Sequence, residues 1–76
     1  MNVRYYAGVL NDDTIEAPAF VFREVTNGDY RTDVWDRAAE QWKTLMSLIR
    51  YTKNGEPGAE EITKVQADRI IKGWRK

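Results

Sequence analysis

The stretch AFVFREVTNGDYRTDVW, residues 19–35, constrains the fold more than any other part of the chain. Asn27-Gly28 stands between two runs in which apolar and polar residues alternate, the pattern of two strands joined by a two-residue turn. A type I′ turn needs φ > 0 at both central positions, which Asn and Gly tolerate. That loop length sets a register: Val25 opposite Tyr30, Glu24 opposite Arg31, Val21 opposite Val34 and Phe20 opposite Trp35. Each pair is chemically matched, being apolar, opposite in charge, or aromatic. A slip of one residue would turn one strand over and lose all four pairings together.

The flanks agree with a sheet. Residues 3–10, VRYYAGVL, alternate Val3, Tyr5, Ala7 and Val9 against Arg4, Tyr6, Gly8 and Leu10, which predicts a strand apolar on both faces. NDDT then breaks it, and Pro18 punctuates the loop that follows. At the other end, TKVQ at 63–66 has the form of a capping box, with Thr63 and Gln66 able to satisfy each other's backbone N–H. Ala67, Ile70, Ile71 and Trp74 follow at one-turn spacing and form one apolar stripe. Lys72, Arg75 and Lys76 close the helix where its dipole favours cations. This helix is expected to pack across the sheet, after a loop at NGEPG, 54–58.

Residues 34–54 admit two readings. Trp35, Ala38/Ala39, Trp42, Leu45/Met46 and Ile49 keep helical spacing, with Asp33 as N-cap, so one long helix over 34–52 is one of them. The other continues the meander. Strand three runs to Asp36, residues 37–40 (RAAE) turn, and 41–44 form a fourth strand that sets Trp42 opposite Trp35. Phe20, Trp35 and Trp42 then share a row, and TLMSLIRY at 44–51 is a short helix capped by Thr44. Alanine and glutamate in the turn argue against the meander, whereas the register from Asn27-Gly28 carries strand three through Trp35 and argues for it. The expected fold is α+β: an antiparallel meander of three or four strands with a short helix and a C-terminal helix packed on it.

The early RYY strand, Val34-Trp35-Asp36 followed by Trp42, the loop GEPGAEEIT at 55–63 and the closing helix with Ala67, Ile70, Ile71 and Trp74 carry a resemblance. The chain resembles a family of small uncharacterised bacterial proteins found mainly in actinobacteria. In that family Pro or Gly stands between the two tryptophans, where this chain has RAAE. The resemblance implies an α+β fold with a turn at that point, and it implies no function.

Size and composition limit what such a chain can do. Seventy-six residues make one domain, and a domain of this size buries little more than ~60% of the surface its unfolded form exposes. Without cysteine there is no disulfide to help, so nine aromatic residues supply much of the core. Histidine is also absent, which removes the commonest general base and metal ligand along with the thiol nucleophile. Ser47 is the only serine. The paired carboxylates Asp12-Asp13 and Glu60-Glu61 lack the alternating spacing of a calcium loop and are expected to sit in solvated turns or near a helix start. So small a chain also has little room for a small-molecule pocket. No catalysis, metal, cofactor or small-molecule substrate is expected. The N-terminal apolar run, interrupted by Arg4, is neither a signal peptide nor a membrane span, so a complete cytoplasmic protein is expected.

Two binding functions are left. A sheet with Val21, Val25, Tyr30 and Val34 on one face and Phe20, Phe22, Trp35 and Trp42 on the other is apolar on both. One helix covers one face. The second needs residues 45–51, a second protomer or another protein, and Phe20, Phe22, Trp35 and Trp42 are the candidate partner-binding residues. This predicts a protein-interaction module, an adaptor, regulator or accessory protein that binds a protein partner or forms a homodimer. The alternative is a nucleic-acid-binding accessory protein that uses Lys64, Arg69, Lys72, Arg75 and Lys76, with Trp74 as a stacking surface. Zero net charge weighs against it. So do the eight acids and three bases between residues 11 and 40.

Overall fold

A computed structural model describes residues 2–10 and 13–75 of the chain. The fold is α+β. Four strands follow one another as a meander: β1 (Asn2–Gly8), β2 (Phe20–Asn27), β3 (Asp29–Asp36) and β4 (Gln41–Thr44). A 3-10 turn (Met46–Leu48) and the one-turn helix α1 (Ile49–Thr52) come next. Then β5 (Ala59–Ile62) pairs with the free edge of β1, and α2 (Lys64–Trp74) ends the fold. All pairings are antiparallel, in the order β4-β3-β2-β1-β5.

The meander reading of the middle segment holds and the long helix over 34–52 does not form. Residues 37–40 turn and Trp35 pairs with Trp42 across β3 and β4, ring edge to ring face at 5.4 Å. With no Pro or Gly in the turn, Glu40 takes the left-handed conformation (φ 53°), which is costly for a residue with a side chain. Contacts on either side hold it there. Asp36 Oδ1 accepts from the Ala39 N–H at 3.0 Å, and Arg75 pairs with Glu40 at 2.7 Å. Thr44 does not cap the following turn. Its hydroxyl donates to Asp33, and Leu45 stands at the cap position with no side-chain bond.

The β2–β3 hairpin forms, but with a register one residue away from that expected. Thr26 faces Tyr30, Val25 faces Arg31, Glu24 faces Thr32, Arg23 faces Asp33 and Phe22 faces Val34. At the turn Gly28 alone has positive φ (80°), so Asn27-Gly28 is not a type I′ turn and Asn27 pairs with Asp29 across the glycine. Burial of Asp33 gives the physical reason. In the expected register that carboxylate would face Phe22, whereas here it faces Arg23 and bonds to it at 2.9 Å. A carboxylate as enclosed as this one (2% exposed) requires such a partner.

The shift re-sorts both faces. Val21 and Val25 share one face with Trp35 and Trp42, while Phe22, Tyr30 and Val34 share the other with Phe20. The first face meets α2, whose Ala67 and Ile71 close a core with Ala7, Val21 and Ile62, against which Trp35, Trp42, Ile70 and Trp74 pack. The helix start is the expected capping box: Thr63 Oγ1 accepts from the Gln66 N–H, and Gln66 Oε1 from the Thr63 N–H. The second face is covered by the chain itself. Tyr51 of α1 lies 5.7 Å from Phe22 and 6.3 Å from Phe20, Leu48 is buried, and Tyr30 and Thr52 share a hydrogen bond. The sheet is therefore enclosed between α2 and residues 45–52.

The second aromatic layer rests on one glycine. Gly8 stands opposite Phe20, and a Cβ at Gly8 would overlap the Phe20 ring. Gly8→Ala is expected to push Phe20 off Phe22 and Tyr51 and to cost about 1–3 kcal/mol, as overpacking typically does. Urea unfolding with unchanged slope measures the loss. Wild-type stability would mean that Phe20 reseats without strain.

Candidate functional site

Phe20, Phe22, Trp35 and Trp42 do not form one surface. Phe22 is fully buried, stacked with Tyr6 at 4.9 Å and Phe20 at 5.7 Å, and Phe20 is half-buried beneath Tyr51. Trp35 and Trp42 are half-buried on the opposite face, against the α2 cluster. The two pairs are separated by the sheet itself, so their aromatic area is used inside the fold.

The exposed large apolar residues among the described ones are Leu10, Val65 and, close together in the chain, Leu45, Met46 and Ile49. Leu45, Met46 and Ile49 are 43%, 45% and 37% exposed, on the segment that turns its Leu48 inward to cover the second face. They directly follow β4, an edge strand. The Leu45 N–H reaches the Thr32 carbonyl, which continues the β3–β4 ladder. By the alternation of antiparallel pairs, the Trp42 and Thr44 backbone groups then point away from β3 toward the open side. Lys43 and Arg50 flank this corner, each with a carboxylate partner, Asp36 at 2.8 Å and Glu56 at 3.7 Å. Lys53 lies over the Tyr30 ring at 4.7 Å. The Lys43 hydrogen bond, and then the Ala39 N–H, hold the Asp36 carboxyl below the usual aspartate range.

Of the basic residues assigned to a nucleic-acid surface, Lys64 is tied to Asp68 at 2.8 Å and Arg75 to Glu40 at 2.7 Å. The Asp68 hydrogen bond raises the Lys64 ammonium above its ordinary value. Arg69 and Lys72 have no ion-pair partner among the described residues, and Lys76 lies outside them. Trp74 is half-buried, packs against the core, and is capped by Arg37 at 3.7 Å from its ring centre. The face expected to stack on bases is occupied by a guanidinium, which also donates to the Ala19 carbonyl at 3.1 Å.

The carboxylate pairs separate. Asp12 lies outside the described residues, and Asp13 accepts from the Leu10 N–H at 3.2 Å. Glu60 and Glu61 are not in a loop before the helix. They belong to the edge strand β5, pairing with Ala7 and Tyr6. Among the described residues no three acidic side chains converge as metal ligands would, and no helix is long and apolar enough to cross a membrane. An open groove of about 380 Å³ runs between the loop residue Ile15 and Ile70, Gly73 and Trp74 of α2, with Arg69 and Glu16 also lining it.

One cluster was not anticipated from the sequence. Asp33, read there only as a possible helix cap, is a buried carboxylate holding two arginines. Arg23 Nε donates to Oδ2 at 2.9 Å, Arg31 Nε donates to both oxygens at 3.2 Å, and the Thr44 hydroxyl donates to Oδ1 at 3.1 Å. Burial alone would raise the Asp33 carboxyl, but the hydrogen bonds from Arg23, Arg31 and Thr44 outweigh it and hold it below its ordinary value. Arg23 also lies over the Trp42 ring at 4.4 Å. The sequence signal was the alternation itself: in the observed register Arg23, Asp33 and Thr44 share one row of three strands. Compared with family models, with curated proteins and with solved structures, the chain matches none.

Proposed function

We propose that the chain is a non-catalytic protein-interaction module, an adaptor, regulator or accessory protein, that binds a protein partner through Leu45, Met46 and Ile49 beside the β4 edge. The observation that carries this reading is that three of the five exposed large apolar residues among the described residues, Leu45, Met46 and Ile49, fall within residues 45–49. Exposed apolar residues that cluster, rather than scatter, mark interaction surfaces. The Trp42 and Thr44 backbone groups offer hydrogen bonds to an added extended segment. Lys43 and Arg50 near the corner are already paired with Asp36 and Glu56, so the corner suits a partner that is chiefly apolar. The absence of histidine and cysteine from the sequence supports the non-catalytic part. Nucleic-acid binding has less support, because Lys64 and Arg75 already have carboxylate partners and Arg37 covers Trp74.

Met46→Glu is the test, since its site is exposed and the variant is expected to keep the wild-type melting temperature. Proteins retained from nuclease-treated lysate by wild type and lost by Met46→Glu support the reading. Equal retention by both, or retention that disappears with nuclease alone, overturns it. Light scattering on the purified chain separates a second copy from a different partner, because only self-association raises its mass with concentration.

A further inference from the structure

We propose that Arg23 and Arg31, anchored together on Asp33, form a binding site for a carboxylate group. The inference is independent of the Leu45–Met46–Ile49 corner, and it begins with the atoms the two arginines leave unused. Both reach Asp33 through Nε. A guanidinium that serves only to hold a carboxylate commonly uses its fork, two parallel N–H bonds to two oxygens. Here the terminal Nη groups of both arginines have no hydrogen-bond partner among the described residues. Among those residues no buried side-chain nitrogen or oxygen lacks a partner, so the Arg23 Nη groups are not sealed from water, and the Arg31 side chain is 47% exposed.

Asp33 cannot serve them further. Its two oxygens already accept from Arg23, Arg31 and the Thr44 hydroxyl. Two guanidiniums on one carboxylate leave one positive charge, which a singly charged carboxylate neutralises and a doubly charged phosphate would exceed. The donors are also held in place before any ligand arrives. Arg23 is fixed between Asp33 and the Trp42 ring, and Trp42 is braced by Trp35 at 5.4 Å and Tyr5 at 6.1 Å. Donors ordered in advance lose little freedom on binding, and the planar fork matches a carboxylate's two oxygens. Val25, directly opposite Arg31, is buried, whereas the Arg31 side chain is exposed. Arg31 is therefore the more accessible cation, with Arg23, 21% exposed, beside it on the same carboxylate.

The test titrates benzoate, a capped peptide with a single glutamate, and the same peptide with glutamine into the isotope-labelled chain at fixed ionic strength. The arginine Nε–H and Trp42 indole N–H resonances are followed by NMR. Saturable shifts at Arg23, Arg31 and Trp42 with benzoate or the glutamate peptide, but not with the glutamine peptide, support the site. Preference for the peptide assigns the carboxylate to a protein, and preference for benzoate assigns it to a free acid. Arg31→Gln and Arg31→Lys, the latter keeping the charge without the fork, are each expected to weaken binding about tenfold, a change of ~1.4 kcal/mol. Arg69→Gln is expected to leave it unchanged. Shifts that do not saturate, that appear equally with the glutamine peptide, or that keep the wild-type affinity in a folded Arg31→Lys chain overturn the proposal.

Discussion

Phe22→Ala is expected to cost about 3–5 kcal/mol and to leave the chain near or below the limit of folding. Phe22 is the largest of the fully buried side chains, and it meets aromatic neighbours on three sides: Tyr6 at 4.9 Å, Phe20 at 5.7 Å and Tyr51 at 5.7 Å. Removing the ring leaves a cavity between the sheet and α1 that a 3-10 turn and a one-turn helix cannot close. So short a helix has no stability of its own and holds its shape only by packing. The expected loss compares with a total stability of ~4–11 kcal/mol for a domain of this length. A fall in melting temperature on the order of 15 °C or more follows from the same scale. Phe22→Leu keeps most of the volume and is expected to lose distinctly less. Near-ultraviolet circular dichroism and urea titration of the two variants check the order. A mild loss in Phe22→Ala would mean that residues 45–52 collapse onto the sheet, and that the second face is less firmly packed than its distances imply.

The main elements were legible in the sequence because each rests on a short local rule. The capping box at Thr63 and Gln66 and the stripe Ala67, Ile70, Ile71 and Trp74 produced α2 where expected. Alternation through VWD and the second tryptophan produced the β3–β4 hairpin. What was not legible depended on partners distant in sequence. The one-residue shift of β2 against β3 follows from pairing Asp33 with Arg23, and a turn motif carries no information about that pairing. Strand β5 was hidden because AEEI has only Ile62 to bury, and edge strands often carry charge to discourage further pairing. The turn at residues 37–40 lacked its usual signal because Glu40 occupies the position where glycine would be comfortable. As for the candidate site, aromatic content pointed to Phe20, Phe22, Trp35 and Trp42, and the corrected register assigned them to opposite faces. Exposure at Leu45, Met46 and Ile49 depends on which way residues 45–49 roll, which periodicity over so short a segment does not determine.

Asp33 ties stability to acidity, and its direction can be worked out. Its folded-state carboxyl lies below the ordinary value: burial raises it, and the hydrogen bonds from Arg23, Arg31 and Thr44 lower it by more. A depressed carboxyl contributes stability that is fully present above the unfolded-state value of about 3.9. That contribution is lost as the pH falls from there through the folded-state value, where the native carboxylate is finally protonated. The urea midpoint is therefore expected to hold level near neutrality and to fall below about pH 4. Asp33→Asn is expected to remove this group's share of the acid limb and to cost about 2–3 kcal/mol at pH 7. That is less than the ~3–5 kcal/mol of a fully buried pair. Arg23 and Arg31 explain the reduction, because their side chains are 21% and 47% exposed and can recover water when the carboxylate is gone. Asp36→Asn is the control. Its carboxyl is also lowered, but through the more exposed Lys43 pair, so its contribution is screened by salt while that of Asp33 persists. In a double-mutant cycle, Asp33→Asn and Arg23→Gln are expected to couple by ~1–3 kcal/mol at pH 7, with the coupling fading as Asp33 protonates. Coupling independent of pH would mean that Asp33 holds Arg23 by geometry rather than by charge.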